Sequence, residues 1–270
     1  MYVVTCVVVF AVAYLLNIVT ITVGYHRGLA HQAVTLSPRV RRALVVAGNW
    51  ITGLDPKAWV VMHRLHHEHS DTALDPHSPL NVGIWGIASE QLRSYERVLV
   101  GLARDDPHFT RYAKDLEFPI NALNGRGLWW APYAIHALVG VVGAVVVGPL
   151  LGFAYFAGMM SHPVQGGLVN AFGHAVGGRN FDTGDNARNN HLVAWLVLGE
   201  GFQNNHHHAP ASARFSCRML EVDLGYGFCL VLEALGALRI HRAALLPRLG
   251  ALRGAGSSAT LRRRADARAL

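Results

Sequence analysis

Residues 63–71 read HRLHHEHSD, and the five residues before them, AWVVM, are almost entirely apolar. On an α-helix His63, His66 and His67 stand three and four positions apart, which puts their imidazoles on one face. Imidazole is a common protein ligand for iron, zinc, copper and nickel, whereas magnesium and calcium prefer oxygen. The stretch therefore predicts a helix that presents several histidines to a metal.

Three other segments repeat this chemistry along the chain. HRGLAH contributes His26 and His31, NAFGH contributes Asn170 and His174, and QNNHHH contributes Gln203 and His206 to His208. One such cluster alone is often a surface patch, but eight or more histidines exceed what a single tetrahedral zinc can use. We therefore predict a binuclear site. The histidines outside it are interpreted as supporting or surface residues (His69, His77) or as structural or exposed residues (His108, His136, His162, His191, His241).

The composition indicates a membrane protein. Hydrophobic residues make up 51% of the 270 residues and charged residues only 15%, against about a quarter charged in a typical soluble domain. Residues 1–25 and 127–178 contain no Asp, Glu, Lys or Arg, and Gly148-Pro149 is a natural break in the second run. We predict an all-α integral membrane protein with about three transmembrane helices, at 2–24, 129–148 and 150–172.

Two shorter apolar stretches are predicted not to span. Residues 43–54 are too few to cross a bilayer and are expected to form a buried or interfacial helix. Residues 222–238 carry two acidic side chains in an apolar run, which predicts an amphipathic helix at the membrane surface.

The predicted spans put all the histidine segments in one compartment. The helix ends near residues 25, 128 and 172 fall on the same side of the membrane, and the formal net charge of +7 is concentrated in an Arg-rich C-terminus. By the positive-inside rule this side is the cytosol, and the basic tail faces lipid and not nucleic acid. We expect a domain at 1–245 and a basic, disordered tail at 246–270.

The three cysteines, Cys6, Cys217 and Cys229, form no CxxC pair. This excludes an iron–sulfur site or a zinc ribbon of the usual spacing. Electrons for any redox reaction are therefore expected from a separate partner.

In their order along residues 1–240, HRGLAH, HRLHHEHSDTALDPHSP, NAFGH and GEGFQNNHHHAP resemble the histidine boxes of membrane-bound acyl-CoA desaturases of the stearoyl-CoA type. The resemblance implies two iron ions on the cytosolic face of a helical membrane domain, with a helical cap that holds the histidines. It implies one iron bound by His26, His31, His63, His67 and His207, and a second bound by His66, His174 and His206. Asn170 matches an asparagine that reaches the second iron through water.

The chain departs from this family in two respects. Gln203 stands where the third box usually begins with histidine, and a glutamine carbonyl is a weak iron ligand, so the second iron is expected to be held less tightly or completed by water. The family usually has four spans, with the first box after the second span. Here the first box follows the first span. One N-terminal helix is therefore expected to be missing, or this branch of the family is expected to work with three spans.

Charged residues near the boxes have expected roles as well. Carboxylates commonly orient metal-binding imidazoles, and the candidates are Glu68, Asp71, Asp75, Asp182 and Glu200. Arginines bind phosphate-bearing headgroups, and the candidates, for which salt bridges are an equal alternative, are Arg27, Arg64, Arg179 and Arg188.

The expected activity is desaturation, the introduction of a cis double bond into a long acyl chain with O2 and two external electrons. Two alternatives remain at this stage: a related di-iron hydroxylase or monooxygenase, and a non-catalytic metal-binding membrane protein such as a zinc-dependent receptor. The acyl group is expected on CoA, a carrier protein or a lipid, and the electron donor to be a ferredoxin, a rubredoxin or a cytochrome b5. Composition favours a bacterial inner membrane, with the active site on the cytosolic face.

Overall fold

The computed structural model describes residues 1–249, which are mostly helical. The helices are α1 (Tyr2–Val19), a π-helical segment (Thr20–Ala30), α2 (Pro38–Thr52), α3 (Pro56–His69), α4 (Pro79–Ala103), α5 (Pro107–Thr110), α6 (Ala122–Gly125), α7 (Ala131–Val146), α8 (Pro149–Met159), α9 (His162–Ala175), α10 (His191–Leu196), α11 (Gln203–His208) and α12 (Leu224–Ala234), with 3₁₀ turns at Arg111–Ala113 and Arg242–Ala244. Strands β1 (Val34–Leu36) and β2 (Leu238–Ile240) pair antiparallel. The predicted all-α class is thus right except for this short sheet.

The first helix is longer than the sequence indicated. α1 and the π-helical segment form one continuous helix of 29 residues, Tyr2–Ala30. Within residues 1–249 it is the one helix that is both long and apolar enough to cross a membrane. Most side chains of α1 are exposed, whereas residues 21–30 are all buried. An outward-facing apolar half therefore leads directly into a buried half that carries His26.

α7 and α8 form a tight hairpin in the region of the second and third predicted spans. Their backbones touch at two glycines, since a Cβ on Gly152 would lie 2.0 Å from the carbonyl oxygen of Gly140. With 16 and 11 residues, both are shorter than the roughly 20 residues of an ordinary span. The number of transmembrane helices therefore stays a prediction.

The prediction of one helix over residues 150–172 is wrong. α8 ends at Met159, and α9 begins at His162 with Pro163 in its first turn. Proline has no backbone N–H and its ring clashes with the preceding turn, so it is tolerated at a helix start but not in the interior. The break changes the direction of the chain, so that α9 places His174 in the metal-binding region.

Local capping fixes the helices that carry and support the histidines. Asp55 accepts hydrogen bonds from the backbone N–H groups of Lys57 and Ala58, and Pro56 opens α3. α2 extends from Pro38 to Thr52 and so includes most of the helix predicted at 43–54; its C-cap is Gly53 with φ +77°, a conformation that favours glycine. The chain thus turns sharply between α2 and α3 and directs α3 into the core.

The C-terminal segment of the described residues contains α12 and β2. α12 begins at the cap Asp223, which accepts from the N–H of Tyr226, and ends at Ala234, so the predicted helix at 222–238 is shorter and its last residue belongs to β2. Leu246 is buried, and the boundary between domain and tail at residue 245 stays a prediction. Residues 250–270, most of the predicted tail, lie outside the described residues.

Candidate metal centre

Eight histidines form two adjacent groups. In each group one ring nitrogen from every member lies within 4.8 Å of the others. The members come from the π-helical segment and the residue after it, from α3, from α9 and from α11. The first group contains His26, His31, His63, His67 and His206, and the second contains His66, His174 and His207.

Adjacent residues on α11 divide between the groups. The Nε2 atom of His206 lies 3.0 Å from Nε2 of His26 and 2.9 Å from Nε2 of His67, in the first group. His207 faces His174 and His66 in the second. This division is the opposite of the one that the resemblance implied for His206 and His207. Successive side chains on a helix point in directions about 100° apart, so neighbouring residues face different surroundings. Which group each of them faces depends on how the helix packs against the rest of the fold.

Carboxylates fix the rings of the second group. The Nδ1 atom of His66 donates to Asp75 at 3.0 Å, that of His174 to Asp71 at 2.9 Å. His207 Nδ1 donates to Asp185 at 2.5 Å. A donating Nδ1 leaves Nε2 as the bare nitrogen, which is the arrangement of a carboxylate-supported metal ligand. The tautomer of all three imidazoles follows from these contacts.

The unpaired nitrogens fit metal ions. Among residues 1–249, the Nε2 atoms of His66, His174 and His207 are buried and have no hydrogen-bond partner. Leaving a buried polar atom unpaired costs about 1–3 kcal/mol, so three at one point call for a ligand. In the first group, Nε2 of His206 approaches both His26 and His67, and one proton cannot satisfy both contacts. Metal ions would take these lone pairs.

The protonation states suit metal binding. Burial, and then the neighbouring imidazoles, lower the pKa of His31, His63 and His67 well below the ordinary value of 6.5. Burial tends to raise the pKa of the Glu200 carboxyl, but its contacts with His26 and Arg27 outweigh burial and hold that pKa at about 2. Neutral imidazoles backed by anionic carboxylates are what divalent metals require.

An apolar cavity adjoins both groups. Its histidine wall includes His26 and His63 of the first group and His66 of the second. Most other walls are apolar or aromatic, among them Ile18, Ile21, Leu54, Trp59, Met62, Leu92, Tyr95, Tyr133, Val169 and Val197. A flexible hydrocarbon chain is the ligand that such a shape and lining favour.

The profile of the fatty acid desaturase family matches residues 3–223. The chain belongs to the fatty acid desaturase family. Members are membrane-associated di-iron oxidoreductases that act on acyl chains, and the resemblance inferred from the histidine boxes is confirmed.

Three relatives illustrate the range of the family. The desaturase is 31% identical over 232 residues to hex-5-enoyl-[acyl-carrier protein] acetylenase of Moorena producens (strain JHB), covering 82% of this chain and 72% of that one. It is 33% identical over 220 residues to sn-1 stearoyl-lipid 9-desaturase of Anabaena variabilis (80% and 76% covered). It is 30% identical over 238 residues to acyl-CoA C20 Delta5-desaturase of Anemone leveillei (85% and 71% covered).

The desaturase uses three of the five carboxylates named from its sequence. Asp71, Asp75 and Glu200 hold imidazoles, the last at 2.6 Å from Nδ1 of His26. The expectation for Glu68 and Asp182 was wrong. Glu68 is exposed and pairs with Arg111 at 3.2 Å, because it points away from the face that carries His66. Asp182 is fully exposed beside Arg179.

The four arginines are mostly occupied by protein partners. Arg27 is completely buried and pairs with Glu200 at 2.7 Å and Asp223 at 3.0 Å, so the headgroup role expected for it was wrong. Arg64 pairs with Asp115 at 2.6 Å. The remaining two donate to backbone oxygens, Arg179 to Thr183 and Asp185, and Arg188 to Gly177. For Arg64, Arg179 and Arg188 a headgroup contact stays a prediction.

His77 and Asp185 lie beside the metal-binding region, and the sequence analysis named only the first of them. His77 was interpreted as a supporting or surface residue, and it is buried with its ring stacked on His66 at 4.7 Å between centroids. No sequence pattern indicated Asp185, because its separation from His207 along the chain matches no known ligand spacing. His69 and His208 contribute to neither group; His208 is exposed and stacks on Phe181.

Proposed function

We propose that this desaturase introduces a cis double bond into a long acyl chain, using O2 and two external electrons at a di-iron centre. The observation that carries the proposal is that two histidine groups, with three orphaned Nε2 atoms in the second, share one wall of an apolar cavity. The proposed ligands of one iron are His26, His31, His63, His67 and His206. Those of the other are His66, His174 and His207, with Asn170 acting through water.

Two bound iron ions would supply the oxidant that an unactivated methylene C–H bond requires. The protein's own share is to position and shield. Asp71, Asp75, Asp185 and Glu200 keep the imidazoles oriented, so that no side chain has to reorganise during the reaction. The apolar walls hold the acyl chain against the histidines and exclude water.

The proposed setting is a bacterial inner membrane, with about three transmembrane helices and the helical cap with its histidines on the cytosolic side. The long helix Tyr2–Ala30 and the Arg-rich C-terminal sequence support it. The names of the three relatives mention an acyl carrier protein, a lipid and CoA, so each is a candidate acyl carrier. A separate ferredoxin, rubredoxin or cytochrome b5 would deliver the electrons.

The purified protein tests this proposal. After expression in iron-supplemented cells, we expect two iron atoms per chain and oxygen uptake that depends on both an acyl substrate and a reductant. One zinc per chain, with no acyl-dependent oxygen uptake, would contradict it and favour a non-catalytic metal-binding protein.

A further inference from the structure

His63 is held in the first histidine group by an aromatic ring and not by a carboxylate. Its Nε2 atom lies 2.7 Å from Nε2 of His31, where the imidazoles of the group converge. Within residues 1–249 no Asp or Glu side chain bonds to His63, whereas every imidazole of the second group has an aspartate behind it. The face of the His63 ring stacks instead on the indole of Trp59, with 4.9 Å between the ring centroids and 13° between the planes. The direction of this imidazole therefore depends on the direction of the indole.

Trp59 lies between the first histidine group and the apolar cavity. It precedes His63 by four residues on α3, so the two side chains leave the same face of the helix. Its ring also meets that of His26 edge-to-face, with 5.8 Å between centroids. The indole is buried and lines the cavity. A rotation of this one side chain would thus disturb two imidazoles and the wall of the cavity together.

The polar atom of this indole is anchored on a different helix. Nε1 of Trp59 donates to Nε2 of His162, the first residue of α9, at 3.2 Å, and both side chains are buried. An indole N–H can only donate, so Nε2 of His162 is the bare nitrogen and the imidazole proton is on Nδ1. A buried N–H that loses its acceptor is unfavourable. His162 therefore holds the indole in one orientation.

Building on the di-iron function proposed above, we propose that His162 is a positioning residue that acts on the centre through Trp59. Its imidazole accepts the indole N–H, and the indole fixes the ring of His63. The same indole forms part of the wall against which the acyl chain lies. His162 thereby helps to retain the metal of the first group and to set which methylene of the chain reaches the centre.

The test uses the iron-loaded full chain in detergent. His162→Leu removes the acceptor, His162→Gln restores one as an amide oxygen, and Trp59→Phe keeps an aromatic ring but removes the N–H. His136→Leu is the matched control. The imidazole of His136 also bonds to protein partners, Tyr155 and the backbone of Trp50, but it belongs to neither histidine group and does not line the cavity. The readouts are the rate of iron removal by a chelator, the position of the double bond in the products, and the unfolding temperature.

In His162→Leu we expect the chelator to remove one of the two irons about tenfold faster than from the wild type. We also expect double-bond positions that the wild type does not produce. Trp59→Phe should speed iron removal in the same way, and adding His162→Leu to it should change the rate no further, because both changes break one bond. His162→Gln should match the wild type, and His136→Leu should lower the unfolding temperature only.

Wild-type iron removal and wild-type double-bond positions in His162→Leu would overturn the proposal. Equal impairment of His162→Gln and His162→Leu would overturn it as well, since the accepting atom would then not be what matters. If His162→Leu does not fold, Trp59→Phe and His162→Gln decide. Faster iron removal in the first and wild-type removal in the second support the positioning role, and any other result refutes it.

The rate of iron removal requires no turnover, which separates this proposal from the proposed function. A chain that binds two irons but forms no double bond would contradict the proposed function alone. The removal rates of the four variants would still decide the role of His162.

Discussion

Glu200 accepts a hydrogen bond from Nδ1 of His26 at 2.6 Å, and the same carboxylate is held by the buried guanidinium of Arg27 at 2.7 Å. A second carboxylate, Asp223, holds Arg27 from α12 at 3.0 Å. The ring of Phe215 covers the guanidinium at 3.8 Å. The position of one imidazole in the first group is thus connected to the C-terminal part of the fold through a buried ion network.

Arg27→Met tests this network. Removing one partner leaves buried carboxylates uncompensated, so we expect the free energy of unfolding to fall by about 3–5 kcal/mol. Thermal unfolding in detergent measures the loss, and the exposed Arg39→Met is the control. A variant with wild-type stability but a raised KM for acyl substrate would restore the headgroup role for Arg27.

His206→Ala and His208→Ala compare two neighbours on α11. His206 is fully buried against His26 and His67, whereas His208 is exposed. We expect His206→Ala to lose bound iron and all desaturated product, and His208→Ala to keep both. Elemental analysis and product analysis provide the readouts. Equal effects of the two changes would refute the claim that His206 belongs to the metal centre and His208 does not.

Asp185→Asn tests the carboxylate that the sequence did not reveal. The change keeps the shape but removes the anionic acceptor of His207, so iron affinity should fall by about 10–100-fold. Asp182→Asn, three residues earlier and fully exposed, should leave it unchanged. Chelator competition measures both affinities, and an unaltered affinity in Asp185→Asn would show that the carboxylate contributes nothing.

The metal-free protein should lose stability as the pH falls. Burial lowers the pKa of His207 to about 4 despite its bond to Asp185, and burial lowers that of His77 to about 3. Between these values and the ordinary 6.5, the unfolded chain binds more protons than the folded one, so the free energy of unfolding declines with falling pH. The unfolding midpoint should be lower at about pH 5.5 than at pH 7.5; equal or higher stability at the acid pH would contradict the buried, neutral imidazoles.

Gly166→Leu tests the cavity as an acyl site. Gly166 lies in α9 and lines the cavity. A Cβ there would lie 3.4 Å from Gln91, so a small side chain fits. A leucine would fill part of the cavity that we propose for the acyl chain. We expect a shift towards shorter acyl chains with unchanged iron content. The control is Gly184→Leu, where a Cβ would meet nothing within 4 Å. The same chain-length profile in both variants would argue against this cavity.

Spacing predicted that His63, His66 and His67 point the same way, because i, i+3 and i+4 positions share a helix face wherever the helix docks. The full set of eight histidines came from the resemblance to the desaturase histidine boxes. Spacing could not show which group His206 and His207 each join, since their directions depend on the docking of α11 against α3 and α9. Nor could it identify Asp185, whose contact with His207 is made by a loop. Arg27 shows the same limit: its neighbours in sequence gave no sign of its buried partners Glu200 and Asp223.

Local signals predicted the membrane helices only in part. The charge-free run at 127–178 marked the apolar hairpin, but Pro163 within it broke the third predicted span into α8 and α9. The pairing of β1 with β2 joins residues more than 200 positions apart, and no local pattern reports such a contact.

Mass spectrometry of the lipids of a host that expresses the protein, with localisation of double bonds, tests the central claim most directly. We predict a new unsaturated acyl chain two hydrogens lighter than its saturated precursor, present with the wild type and absent with His206→Ala. A hydroxylated acyl chain without any new double bond would contradict desaturation and show that the centre inserts oxygen.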